Sequence, residues 1–191
     1  MHDYRIEQAR ITDLKHPYER QPREFSDIIP LYDGFVLQRI FAETIPSEEL
    51  DHVHIIFTSL LECTFSEADW RYHARAVVCG TPSIISIPGI IEAPAKPREF
   101  YIFQLGSMSD FSLKKRFGSG FMHYGDDRMT GAAIVYTMQA LFFFVADGDP
   151  FCANKSCSLY NAHWQTELID IVEKGSLCDR HAKMANKFNN R

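Results

Sequence analysis

The chain has no internal repeat and no low-complexity tract, which removes repeat architectures and biased, unstructured tails from consideration. It is also short of positive charge. Twenty Lys and Arg stand against 25 Asp and Glu, for a net charge of −5, and the basic residues are scattered. Proteins that track phosphates gather their cations on one face, so nucleic acid is not an expected partner. No glycine loop ends in Lys-Ser or Lys-Thr; Gly118-Ser119-Gly120 lacks that ending, and a P-loop phosphate cradle is therefore excluded. The opening Met1-His2-Asp3-Tyr4 has no apolar core behind a basic lead, so no export signal is visible and a cytoplasmic, reducing compartment is expected. No apolar run reaches the roughly twenty residues of a bilayer span. The longest, Gly131 to Ala146, stops at Asp147-Gly148-Asp149-Pro150 and is expected to be a buried core helix, with no membrane partner.

What is present suffices for an ordinary core. Over 191 residues, 46% are hydrophobic and 13% aromatic, and a chain of this size is expected to form a single domain spanning 1–191. Residues 1–27 are a polar, proline-interrupted lead-in. Residues 28–108 are mainly strands, about five in one mixed sheet, assigned to Gly34–Ala42, Asp51–Ser59, Tyr72–Gly80, Ser83–Ile87 and Arg98–Leu105. Between the last two, Pro88 to Pro97 carries three prolines and is expected to be a fixed loop. Residues 109–150 turn helical, with a short piece at Leu113–Phe117 and a long apolar helix after Asp126-Asp127-Arg128, whose carboxylates cap it. Residues 151–191 are predicted to be a helical, zinc-binding subdomain. One helix there runs from an Asn161 cap to Val172; another follows Ser176, with Asp179 in its first turn and Met184 and Phe188 on one stripe. The fold class is α/β in the α+β sense.

Three of the five cysteines and one histidine follow the order Cys152-x4-Cys157, twenty residues, then Cys178-x2-His181. Two ligand pairs at such spacing are the pattern of a structural zinc site, because zinc takes four thiolate or imidazole ligands tetrahedrally. Residues three apart at a helix start share a face, which suits Cys178 and His181. One structural zinc is therefore predicted, with His163 as a substitute ligand or a hydrogen-bond partner of one. The alternative is a set of free thiols with His181 an ordinary surface histidine. Cys63 and Cys79 sit in apolar, strand-like surroundings and are expected to be core residues.

With these residues in view, the sequence resembles the archaemetzincins, zinc peptidases with His-Glu-x-x-His-x-x-Gly-x-x-His-Cys, then x4-Cys-x-Met, and later Cys-x2-Cys. Cys152-x4-Cys157-Ser158-Leu159 and Cys178-x2-His181 match the second half, with Leu159 in place of Met and His181 in place of the last Cys. The stretch TPSIISIPGIIEAPAKPREFY, within Asp51 to Tyr101, also resembles an archaeal family regarded as metallopeptidase-like. These resemblances imply a metzincin-like fold and a structural zinc. The catalytic half does not carry over: the three zinc histidines fall on Leu141, Val145 and Phe151, the general-base glutamate on Phe142, and only Gly148 matches. Aliphatic and aromatic side chains neither ligate a metal nor activate water.

Other clusters compete. His52 and His54 alternate on a predicted strand and, with His73 or His123, could hold a relocated catalytic metal of a hydrolase; ordinary solvent-facing histidines are the plainer reading. Glu92, Lys96, Arg98 and Glu99 could form an acid–base or anion-binding cluster on the proline-stiffened loop, with surface ion pairing as the alternative. The leading expectation is a cytoplasmic, archaemetzincin-like protein with one structural zinc and no peptidase activity. The rivals are a metal-dependent hydrolase and a protein-interaction module with an unknown protein or peptide partner.

Overall fold

The structure, a computed structural model, describes residues 30–106, 110–146, 148 and 150–189. The lead-in expected over residues 1–27 lies outside them. The chain divides into two compact units, Met1–Ala93 and Pro94–Arg191.

The first unit runs β1 (Leu31–Asp33), α1 (Gly34–Ala42), a 3-10 turn at Ser47–Glu49, β2 (Ile55–Thr58), β3 (Leu61–Ser66), β4 (Arg71–Arg75), β5 (Val77–Val78), β6 (Ser83–Ser86) and α2 (Ile87–Glu92). Among the described residues its strands form two three-stranded sheets, ordered β1-β3-β4 and β2-β6-β5, in place of the one sheet of about five expected. Leu31 lies opposite Leu61 in the parallel β1–β3 pair, and Glu62 opposite Arg75 in the antiparallel β3–β4 pair. In the second sheet β2 runs parallel and β5 antiparallel to β6, whose four residues are all buried. Ile84, Ile85, Ile90 and Cys63 are fully buried in this unit.

Three segments depart from the sequence expectation, each for a local reason. Gly34–Ala42 is a helix, not a strand, because the Asp33 carboxylate caps it, accepting from the backbone N–H of Phe35 at 3.0 Å and of Val36 at 3.1 Å. Ile87–Glu92, expected within or beside the fixed loop, is also helical. The Ser86 hydroxyl accepts from Gly89 N at 2.9 Å, and Pro88 falls in the first turn, where its missing N–H removes no helical bond. Gly89 is required there, since a Cβ would stand 2.0 Å from the backbone oxygen of Arg75. Arg98–Leu105 is the third, a helix that starts directly after Pro97. Conversely, the central strand β3 carries no signal that marks it as a strand by alternation, because its first four residues are all buried.

The second unit is helical: α3 (Arg98–Leu105), α4 (Asp110–Phe117), a 3-10 turn at Gly118–Gly120, α5 (Met129–Ala146), α6 (Gln165–Lys174) and α7 (Asp179–Asn189). Asp126 holds Arg128 through two bonds of 2.8 and 2.9 Å just ahead of α5. That helix has no charged side chain, and Ala132, Val135, Tyr136, Gln139, Ala140 and Phe142 are buried along it. At Gly131 a Cβ would come within 2.6 Å of Val172, so a residue without a side chain lets α5 and α6 approach. Ile134, Leu141 and Val145 remain exposed, and 33% of the helix is buried, less than a fully internal helix would show. By length and composition alone α5 is long and apolar enough to cross a membrane, a test that core helices also pass. The helix α6 begins at Gln165, four residues after the expected Asn161 cap, because Glu167 reaches back to the N–H groups of His163 and Trp164 at 3.1 and 3.3 Å.

Candidate metal centre

After α5 the chain enters a loop tied together by its own backbone. Cys152 N donates to Leu159 O at 2.9 Å, and Cys157 N to Asn154 O at 3.0 Å, so the segment between the two cysteines folds into a turn that aims both sulfurs inward. The Asn154 side chain fixes that turn by accepting from Ser156 N at 3.0 Å, while Asn154 N donates to the Cys152 sulfur at 3.4 Å. Backbone bonds Ser158 N to Ser176 O, 3.0 Å, and Ser176 N to Ser156 O, 3.4 Å, then lay the chain leaving α6 beside this loop. That delivers Cys178 to the mouth of α7, where its carbonyl accepts from Ala182 N at 2.8 Å and its own N–H donates to the Cys157 sulfur at 3.5 Å. His181 follows one turn later on the same face.

The four side chains meet. Their ligand atoms all lie within 4.8 Å of one another, and among the described residues no other group of three or more His, Cys, Asp or Glu comes together as a metal could require. The distances can be tested against zinc geometry. Bonds of about 2.3 Å to sulfur and about 2.05 Å to nitrogen, arranged tetrahedrally, separate two sulfurs by about 3.8 Å and a sulfur from a nitrogen by about 3.6 Å. Cys152 Sγ lies 3.9 Å from Cys178 Sγ, and His181 Nδ1 lies 3.5 Å from Cys157 Sγ and 3.2 Å from Cys178 Sγ. The residues fit the ion.

Electrostatics differ around the ring. Burial raises the Cys157 thiol above its ordinary range, whereas the backbone N–H of His181, at the start of α7, holds the Cys178 thiol below it. Burial also lowers His181, assisted by the charge of Arg180, which favours the neutral imidazole that a metal needs. The cluster is walled by Phe142, Leu159, Met138, Leu177 and Met184. The Phe142 ring meets the His181 ring edge-on, 5.7 Å between centroids at 89°.

The other predicted candidates form no second metal-binding group among the described residues. His52 and His54 precede β2 rather than lying on it; His52 pairs with Asp51 at 2.9 Å and the His54 ring bonds Glu49 O at 2.8 Å. His73, on β4 in the other sheet, pairs with Asp69 at 2.8 Å. His123 stands 3.7 Å from Asp126. Glu92 is the last residue of α2. Exposed His163 is held through its backbone, its carbonyl accepting from Ala95 N at 2.7 Å, and it is not part of the cluster.

One residue that sequence reasoning missed is Glu62. It is fully buried on β3, neither carboxyl oxygen has a hydrogen-bond partner among the described residues, and burial pushes its pKa up to about 8. The available signal was an acid inside the otherwise weakly polar run Leu61-Glu62-Cys63-Thr64-Phe65.

Fold and site together define a mixed α and β protein with a Cys3His cluster able to take a metal. The chain belongs to the Probable metallopeptidase family (DUF6775), whose model matches residues 2–188. No match was found among curated proteins or among solved structures.

Proposed function

We propose that this chain is a non-catalytic, archaemetzincin-like member of its family, in which Cys152, Cys157, Cys178 and His181 hold one structural zinc ion. The observation that carries this reading is the convergence of four ligand atoms within 4.8 Å of one another, three of whose separations, 3.9, 3.5 and 3.2 Å, lie within about 0.4 Å of a zinc tetrahedron. All four positions are filled by protein, which leaves no open place for substrate or water, as structural rather than catalytic zinc requires.

The ion would supply a crosslink joining the 152–160 loop and the start of α7. The chain's own groups prepare it: backbone N–H groups of Asn154 and Cys178 donate to ligand sulfurs, and the apolar wall covers Cys157 and His181. The positions that would carry peptidase chemistry under the archaemetzincin resemblance are Leu141, Phe142, Val145 and Phe151. None offers a donor atom, and Phe142 is instead packed against the zinc ligand His181. We place the protein in the cytoplasm, where thiols stay reduced, with a protein or peptide as partner rather than nucleic acid or membrane.

The test is metal analysis of the purified full chain alongside a peptide-hydrolysis assay. About one zinc per chain and no hydrolysis are expected. No zinc, or a second metal that is lost with His52→Ala or His54→Ala together with a hydrolytic activity, overturns the reading.

A further inference from the structure

The three sulfurs of the cluster are not equivalent. Cys157 is fully buried beneath Phe142 and Leu159, whereas Cys152 and Cys178 are half-buried and face each other at 3.9 Å. A disulfide needs about 2.05 Å between sulfurs, so a small approach of these two side chains completes the bond. They stand on separate, short-range frames: Cys152 at the start of the loop that follows α5, Cys178 at the mouth of α7. Neither sulfur belongs to a rigid element interior that would hold it back.

We infer that Cys152 and Cys178 form a redox-sensitive pair, which a peroxide closes into a disulfide and which thereby expels the zinc. This rests on the zinc reading proposed above. The chemistry balances with one peroxide per chain. One thiolate attacks a peroxide oxygen, breaking the O–O bond to leave a sulfenic acid and hydroxide. The second thiolate then attacks that sulfur, forming the S–S bond and releasing the sulfenic oxygen as hydroxide. Two protons from solvent convert both hydroxides to water. Two sulfurs are oxidised by one electron each, and the peroxide is reduced by two. Only Cys157 and His181 then remain as ligands, half of what a closed zinc site uses, and the ion leaves as Cys157 takes up a proton.

Cys157 is the counter-case that makes the inference specific. Its burial and the contact of its sulfur with Cys178 N keep it away from oxidant, so its sulfur is not oxidised in the reaction. Cys63, fully buried and donating from its sulfur to Tyr32 O at 3.3 Å, belongs to the first unit and takes no part.

The experiment uses the full chain, first assayed for zinc, then treated with hydrogen peroxide in the presence of a chromophoric zinc chelator. Peptide mapping without reductant follows, after alkylation of free thiols. The expected result is a Cys152–Cys178 crosslink, alkylated Cys157, loss of about one zinc per chain in step with the crosslink, and recovery of zinc binding after a dithiol reductant. A zinc-loaded chain that keeps its ion under peroxide, or that joins Cys157 to either neighbour, overturns the inference while leaving the structural zinc intact. A chain with no zinc before peroxide is added overturns the metal centre and the release with it.

Discussion

Replacing Glu62 with Gln should abolish a pH dependence that the structure builds into the first unit. The carboxyl group is fully buried without a hydrogen-bond partner among the described residues, and burial raises its pKa from 4.5 to about 8. The sign follows from proton counting. Below about pH 4.5 the group is neutral in both folded and unfolded chains, and it contributes no pH dependence. Between about pH 4.5 and 8 the unfolded chain has lost the proton and the folded chain keeps it, so stability falls as pH rises, by about 1.4 kcal/mol per unit. Over that window the loss is on the order of 4–5 kcal/mol, a large part of the whole stability of a typical domain. Glutamine has the same shape and no proton to lose. Urea unfolding of wild type and Glu62→Gln, followed by circular dichroism from pH 4.5 to 8.5, isolates the effect, because every other titrating group is common to both. The variant should gain on the wild type steadily with pH and level off above about 8. Parallel curves would refute the argument, since they would mean that Glu62 is ionised or paired in the folded chain. The offset at pH 4.5 carries no weight; the slope is the measurement.

Two further outcomes follow. If the cluster holds the proposed zinc, chelation should loosen the 152–160 loop and the start of α7 before anything in the first unit, because structural zinc contributes an apparent ~10 kcal/mol or more in small peptides; hydrogen exchange with and without chelator reads this, and uniform exchange across both units would contradict it. Gly89→Ala drives a methyl group to 2.0 Å from the Arg75 carbonyl oxygen, a backbone atom with little freedom to yield, and should cost about 3 kcal/mol or more by thermal or urea unfolding. A variant as stable as wild type would show that α2 and β4 separate easily.

The cluster was legible because its information is local: two short spacings and the chemistry of thiolate and imidazole suffice to name Cys152, Cys157, Cys178 and His181. The long helix was legible for a similar reason, since Asp126 to Arg128 and Gly148 to Pro150 bracket a run with no charge. The strands were harder. Gly34–Ala42 has the β-branched and aromatic composition of a strand, but the Asp33 cap directly ahead of it favours a helix. Arg98–Leu105 failed alike, because Phe100, Tyr101 and Phe103 suit a strand by propensity. In place they stack within a helical unit, Phe100 edge-on to Phe117 and Phe121 at 5.6 and 5.4 Å. Leu61–Ser66 was invisible for the opposite reason: a central strand buried on both faces loses the alternation that marks a half-exposed one. Glu62 sits in that strand, so its isolation depends on a burial the sequence does not display. The separation of His52, His54 and His73 was equally hidden, because spacing shows which residues are near in sequence and not which sheet each joins.

Phe142 ties α5 to the proposed metal site. Under the archaemetzincin resemblance this is the position of the general base, one turn from the site of a metal ligand, and catalysis there would require a hydrated carboxylate. The structure instead buries Phe142 in α5, packs it with Cys157 and Leu159, and sets its ring edge-on against His181. An aromatic ring in that place contributes apolar burial and a fixed imidazole orientation, on the order of 2–3 kcal/mol for the burial alone. A glutamate would be expelled from it or left unpaired. Phe142 therefore acts in support of the proposed metal site, as part of the wall that covers Cys157 and fixes the His181 ring. Exposed Leu141 and Val145 on the same helix are surface without a donor atom for a metal ion.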